Sequence, residues 1–378
     1  MEPRHLVRIT SLKTFVVHAL RVNHVFVVLE TDAGITGVGE GTVEDRELAA
    51  QAAIQHTESY LIGQDPFRIT CHVETLSRDS YWRTGALLRS ALSAIEMALL
   101  DIKGKALGVP VYDLLGGLNR DVVPCYANGW FGNARSPDEF AAAARQTTAL
   151  GFAALKLDPF RHTSGKTERS RLLQGIARIE AVRDAVGPDI EIMIDGHGGF
   201  DATSAILAAR ELEPFRPYWF EEPVPPESID ALASVRRRSP IPIAAGERVY
   251  EPARFAEIID REAVDYLQPD ISHVGGISEA LRIASYADVH NVPVVPHNAL
   301  GPVNNAATLH YAAAVPNFSW FESFLHVEPF VAPWRADYVE EAAFAEDGHI
   351  RVPGLAGLGV SIRPEACLAH PYKPRLKG

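Results

Sequence analysis

Five ionisable residues, Asp195, Glu221, Glu247, Asp270 and His297, each close a short apolar run, and they follow one another at intervals of 26, 26, 23 and 27 residues. Such an interval holds one strand, one helix and two loops, the length of a β/α repeat. Where strands of this kind close into a barrel, the residues at their carboxyl ends meet on one rim. The spacing thus predicts three carboxylates converging as a metal site beside an Asp–His pair that moves a proton.

The surrounding pattern agrees with repeats. The apolar segments VPCYA, AALKL, EIMI, YWF, PIAA, YLQ, VPVVP and SWF alternate with helices expected to begin near Ser136, Thr167, Ala202, Ser228, Arg254, Ile277 and Val303. Ser136 followed by Pro137 is a helix start, with an N-cap ahead of a proline at the first helical position. Eight strands with intervening helices point to an α/β barrel, although counting leaves an open sheet available. Upstream, VFVVLETDAGITGVGE predicts a strand, a turn and a second strand. Helical periods follow over 44–61, 66–78 and 85–107, the last with Leu88, Leu92, Ile95 and Leu99 on one stripe. The expected division is an α+β domain over 1–120, a barrel over 121–325, and a segment over 326–378 whose VPGLAGLGVSI returns to the first domain.

Composition narrows the function. With 378 residues, 47% hydrophobic and 22% charged, the chain reads as a globular protein of two domains. Its net charge is −12, and its compact basic run, Arg236 to Arg238, falls at the end of a predicted helix, where cations suit the dipole. Nucleic acid is therefore not an expected partner. No apolar run reaches the ~18 residues of a membrane span, and MEPRHLVRIT lacks a signal-peptide core, so no membrane partner and a cytoplasmic location are expected. Cys71, Cys125 and Cys367 lack metal-ligand spacing and read as reduced thiols.

Alternation along a strand places Met193 and Asp195 on one face and Ile192 and Ile194 on the other. The same parity aligns Glu221 with Trp219 and Glu247 with Ala245. Hard carboxylate oxygens suit Mg2+, whereas zinc favours His or Cys. Taken singly, a carboxylate after a strand is more often a helix cap or a solvated loop residue; the shared repeat position, and the adjoining Glu222, favour a cation. Asp270 is expected to hold one nitrogen of His297, leaving the other as base or acid. Lys156, inward on the second strand, is expected to face substrate or a developing oxyanion, because an unpaired buried ammonium is costly. Asp158 shares its face, as a substrate contact or as a salt-bridge partner of Lys156. His197 is either a proton donor or a loop histidine in GHGG. Glu322 either hydrogen-bonds an enolate oxygen or caps the barrel.

Together the helix IEMALLDIKGKALGVPVYDLLGG, the motifs DGH, WFEEP, AGE, QPD and VPH, and the terminal PGLAGLGV resemble the mandelate racemase-like subgroup of the enolase superfamily, over essentially the whole chain. The resemblance implies a modified (β/α)7β TIM-like barrel and an N-terminal α+β capping domain completed by the C-terminal segment. It further implies Mg2+ on Asp195, Glu221 and Glu247, a His297–Asp270 dyad, Glu322 as the enolate-side acid, and abstraction of the proton alpha to a carboxylate to give an enediolate. Racemases of this subgroup carry Lys-x-Lys on the second strand; here Asp158 stands at the second position, which argues against two-base racemisation. His197, two residues after Asp195, is instead similar to the pattern of galactonate- and gluconate-type acid-sugar dehydratases. On that pattern His297 takes the C2 proton, His197 protonates the departing C3 hydroxyl, and the enol becomes a 2-keto-3-deoxy acid. The implied partner is a small sugar-acid carboxylate, and the implied assembly a homo-oligomer. Substrate hydroxyls are expected to meet the capping domain at RVNH, with His24, and YWRTG, with Arg83, unless these merely flank helices. The rivals are a cycloisomerase or racemase/epimerase on a sugar acid or lactone, and a non-catalytic metal- and ligand-binding homologue.

Overall fold

A computed structural model describes residues 7–19, 22–160, 169–325, 337–340 and 343–374. Strands β1 (Ile9–Ala19), β2 (Val22–Thr31) and β3 (Thr36–Glu40) form an antiparallel sheet in sequence order. The turn between β2 and β3 passes through Gly34 at φ 72, a conformation glycine adopts without cost. Five helices follow: α1 (Glu47–His56), α2 (Glu58–Leu61), α3 (Ile69–Ser77), α4 (Ala86–Leu107) and α5 (Val111–Leu114). The helical period over 44–61 breaks at Thr57, whose hydroxyl donates to the Ile54 carbonyl at 2.7 Å.

Helix α4 differs from the expected single stripe. Leu88 is exposed, while Leu92, Ile95 and Leu99 are buried together with nearly every residue from Arg89 to Ile102. The helix is covered on both sides. On one, β3 approaches so closely that a Cβ at Gly37 or Gly39 would collide with the carbonyls of Ala98 and Ala94. On the other, Arg89 donates to the Tyr250 carbonyl at 3.2 Å and to the Val274 carbonyl.

The repeats then unfold in order: β4 (Val122–Asn128), α6 (Pro137–Thr148), β5 (Ala154–Leu157), α7 (Arg169–Val186), β6 (Glu191–Asp195), α8 (Ala202–Leu212), β7 (Trp219–Glu221), α9 (Ile229–Arg236), β8 (Ile243–Ala245), α10 (Pro252–Asp260), β9 (Tyr266–Leu267), α11 (Ile277–Val289), α12 (Pro302–Ala314) and β10 (Phe321–Phe324). The predicted cap is present at α6, where Ser136 and Glu139 form a capping box, and α9 begins at the expected Ser228, which accepts from Ala231 N. The helix start expected at Thr167 lies outside the described residues. Strands run parallel in the order β10-β4-β5-β6-β7-β8-β9. The expected strand VPVVP contracts to one residue, Val294, bridging Leu267 and Phe318 and so closing the barrel. Pro293 and Pro296 on either side have no N–H to offer a ladder.

Tyr126, Ala154, Met193, Trp219, Ala244 and Val295 fill the barrel interior, while Ile192, Ile194, Phe220 and Ile243 join the core beneath the helices. One parity expectation fails. Ala245 packs outward and Ala244 inward, so Glu247 does not share a face with Ala245. Gly246, at φ 146 and with its Cα hydrogens against the Gln268 backbone, breaks the alternation and returns Glu247 to the rim.

The last segment contributes β11 (Val339–Glu340), β12 (His349–Arg351), β13 (Ser361–Ile362) and α13 (Pro364–Ala369). Its β12 pairs antiparallel with β4 of the barrel, and the stretch beyond returns to the first domain: Gly357 exchanges 2.9 Å backbone bonds with Val109 and Val111, and Leu358 N donates to Asp101 Oδ1 at 2.8 Å. Among the described residues no helix is long and apolar enough to cross a membrane. At this junction the His310 Nδ1 accepts from Tyr112 N at 3.2 Å, and burial pushes the imidazole down to about 4. The unfolded chain, with histidine near 6.5, binds a proton that the fold refuses. Its stability contribution is complete above pH ~6.5 and declines by roughly 3 kcal/mol as pH falls to 4. His310→Gln should show a shallower loss of denaturation midpoint between pH 7 and 4.5 than the parent; equal slopes would contradict this.

Candidate active site

A cleft of about 1200 Å3 opens over the carboxyl ends of the barrel strands, lined among others by Lys156, Asp195, His197, Glu247 and His297. Val43, Glu44 and Ala86 from the first domain form part of its wall. Asp195 and Glu221 end neighbouring strands in direct register, and Glu247 follows the next strand by two residues. One ligand oxygen from each of the three lies within 4.8 Å of the others. All three are buried, and so is Glu222. Arg248 pairs with Glu222 Oε2 at 2.7 Å, while Glu222 Oε1 is buried without a partner among the described residues.

Lys156 stands at the centre of this charge. Its Nζ lies 2.7 Å from Glu221 Oε1, 2.9 Å from Glu322 Oε1 and 3.5 Å from Asp195 Oδ2. Burial would lower its pKa, but Glu221 and Glu322 more than compensate and hold it well above the ordinary value. Among the carboxylates, burial raises Asp195, and raises Glu221 to about 8 against the opposing Lys156. Burial acts on Glu247 too, but His297, Lys156 and His197 outweigh it and hold the carboxyl at about 2. Four buried acidic side chains faced by Lys156 and Arg248 form a set of hard oxygens. That donor set fits a divalent cation such as Mg2+, which leaves coordination positions for water or substrate.

Two imidazoles flank the cluster. His297 Nδ1 meets Asp270 Oδ2 at 2.6 Å, and its Nε2 lies 3.6 Å from Glu247 Oε2. His197 Nδ1 meets Asp158 Oδ2 at 3.0 Å, and its Nε2 lies 3.4 Å from Asp195 Oδ2. His197 reaches this position through a left-handed backbone, φ 44, held by its own N–H on Asp195 Oδ1 at 2.8 Å. Both rings are pushed up to about 10. For His197 the chief cause is Asp195; for His297, burial pulls down but Glu247 and the Asp270 hydrogen bond prevail. Glu322 is held below its usual range: burial raises it, but Lys156, His297 and the Asn298 N–H outweigh that. It accepts from Asn128 Nδ2 at 2.7 Å and from Asn298 N at 2.8 Å.

Two expected substrate contacts fall elsewhere. His24 is buried beside Phe26 and Tyr338, the latter hydroxyl 3.2 Å from its Nδ1, and does not line the cleft. Its strand β2 is the central strand of the first sheet, between β1 and β3. Arg83 is exposed and likewise not among the lining residues, in a stretch where Tyr81 and Trp82 are also exposed. Arg21 lies outside the described residues. Sequence reasoning overlooked Asn128, Asn298 and Arg248. The rim rule applied to the first barrel strand would have found Asn128 at its carboxyl end, and the other two directly follow His297 and Glu247.

Residues 139–366 match the family model described as "Enolase C-terminal domain-like", and residues 7–116 match "Mandelate racemase / muconate lactonizing enzyme, N-terminal domain". The chain is 40% identical over 358 residues to a D-galactonate dehydratase of Ralstonia pickettii, covering 94% of this chain and 92% of the relative. It is 35% identical over 351 residues to a D-gluconate dehydratase of Thermoproteus tenax, covering 93% of this chain and 70% of the relative. A crystal structure of a member of the enolase superfamily from Salmonella Typhimurium superimposes with a TM-score of 0.91 at 30% identity, covering 97% of this chain and 99% of that one.

Proposed function

The chain belongs to the mandelate racemase/muconate lactonizing enzyme branch of the enolase superfamily, and from that premise we propose that it is a Mg2+-dependent hydro-lyase converting a monocarboxylic sugar acid, such as galactonate or gluconate, to a 2-keto-3-deoxy acid. The observation that carries the reading is the pair of imidazoles on one carboxylate cluster, His297 at Glu247 and His197 at Asp195, each tied through Nδ1 to its own carboxylate. Dehydration needs a base and an acid; two such groups are present. The dehydratase names of the relatives support the same class.

Asp195, Glu221 and Glu247 would hold Mg2+, which supplies Lewis-acid stabilisation of the second negative charge that arises as a carboxylate loses its alpha proton. His297, its Nδ1 held by Asp270, presents Nε2 and accepts the C2 proton in its neutral form. Glu247 sharing its charge with a ligand would relieve the influence that keeps this imidazole protonated. Lys156 adds positive charge where the enediolate oxygens collect. His197, protonated through its neighbours Asp195 and Asp158, donates to the C3 hydroxyl as the C3–O bond breaks and water leaves. The resulting enol takes a proton at C3 to give the ketone. Asp158 in this reading orients His197 rather than touching substrate, and Glu322 holds Lys156, Asn128 and the Asn298 N–H in place.

The test is a screen of aldonic and aldaric acids in D2O, with Mg2+ and with EDTA, reading semicarbazide-reactive product and C2 exchange. Exchange at C2 with no 2-keto product on any acid would leave a cycloisomerase or epimerase in place of the dehydratase. On the substrate that turns over, His197→Asn should slow dehydration by roughly 10^2–10^3-fold, the contribution of one general acid, while C2 exchange persists. Parallel loss of both would remove His197 from the leaving-group step.

A further inference from the structure

Glu40, the last residue of β3 in the capping domain, is fully buried, far from any role assigned above. Its carboxylate docks on the barrel. Oε1 accepts from Gly301 N at 2.8 Å and from Thr42 Oγ1 at 2.8 Å, and Oε2 accepts from Asn304 N at 3.0 Å. Gly301 is the N-cap of α12, a 13-residue helix with no side-chain cap of its own. Glu40 therefore supplies, from the other domain, the hydrogen-bond acceptor that a helix start requires. A Cβ at residue 301 would lie 2.6 Å from Glu40 Oε1, so the glycine there leaves room for the incoming carboxylate.

The residues Glu40 grips lead directly to the reacting groups. Gly301 ends the short loop that begins at His297. Asn304, also fully buried, accepts from Ser272 Oγ at 2.8 Å and donates to Asn298 Oδ1 at 3.2 Å. Ser272 N donates to Asp270 Oδ1 at 2.7 Å, and Asn298 N donates to Glu322 Oε2 at 2.8 Å. Ser272 Oγ also approaches the Glu40 carbonyl at 3.3 Å. One capping-domain carboxylate is thus joined, through a single asparagine, to the partner of His297 on one branch and to Glu322 on the other. Buried networks of this kind, fully satisfied, hold one arrangement and lose it when a member is missing.

We propose that Glu40 is a positioning residue for the Asp270–His297 pair, transmitting the docking of the capping domain to the placement of the base through Gly301 and Asn304. This rests on the proposed role of His297. In Glu40→Gln, shape is kept while an amide NH2 is set against a backbone N–H. Turnover should fall roughly 10- to 100-fold, as expected for displacement of a positioned base. The Mg2+ affinity measured by calorimetry should change less than about threefold, since the three carboxylate ligands are untouched, and KM should change less than kcat. Amide exchange across 297–304, read by mass spectrometry, should accelerate. Ser272→Ala, which removes the Oγ bonds to Asn304 Oδ1 and to the Glu40 carbonyl and so uncouples the Ser272 N–H and Asp270 from Asn304, should lower kcat, and serves if Glu40→Gln does not fold. An unchanged kcat in Ser272→Ala, or unchanged exchange over 297–304 in a folded Glu40→Gln, overturns the proposal. If the parent turns over no sugar acid, the proposed function fails separately, and the exchange measurement alone decides this one.

Discussion

Replacing His297 with Asn is expected to reduce both dehydration and C2 proton exchange by about 10^3-fold, within the range that one general base contributes. The amide can still reach Asp270, so the carboxylate now 2.6 Å from the imidazole keeps a hydrogen-bond donor. What disappears is the nitrogen that lies 3.6 Å from Glu247 and faces the cleft. Because no ligand of the carboxylate cluster is altered, Mg2+ affinity and substrate KM should remain close to the parent values. The same loss in exchange and in product formation is the critical feature, since it separates His297 from His197. Exchange at the parent rate in His297→Asn would assign the C2 proton to another group.

Chelation is expected to have the second large effect. Removing the divalent ion with EDTA should depress turnover by at least about 10^3–10^4-fold, corresponding to the several kcal/mol of charge stabilisation that a Lewis acid provides. Readdition of Mg2+ should restore it. A readout independent of catalysis is available: an ion that binds only the folded chain raises stability by ~2.7 kcal/mol at one hundred times its Kd. Tm should therefore rise with Mg2+ in the parent and remain flat in Asp195→Asn. The apo fold itself should survive, because Lys156 already neutralises part of the cluster through Glu221, Glu322 and Asp195. Full turnover after exhaustive chelation would defeat the reading of these carboxylates as ligands.

The barrel and the convergence of its rim were legible because both depend on short-range regularities. Repeat length sets where each strand ends, and alternation sets which side chains face inward, as at Met193, Asp195, Lys156 and Trp219. Alternation failed at Glu247 because one glycine, Gly246, takes a backbone conformation that inverts the parity. The strand expected over VPVVP shrank to Val294 because prolines supply no donors. Helix α4 looked amphipathic, and its second buried side exists only because a sheet and a barrel close on it together.

What the amino-acid order determined by itself was therefore the set of groups and their spacing along the chain: acidic residues and histidines at strand ends, and Asp158 where a lysine was the alternative. What only the tertiary structure decided was pairing across long separations. That Asp158 meets His197, that Lys156 binds Glu322 as well as Glu221, and that Glu40 caps a helix more than 250 residues away follow from closure of the barrel and docking of the capping domain. The physical reason is that hydrogen bonds and ion pairs act over ångströms in space, whereas sequence periodicity reports only the local backbone geometry from which those distances are assembled.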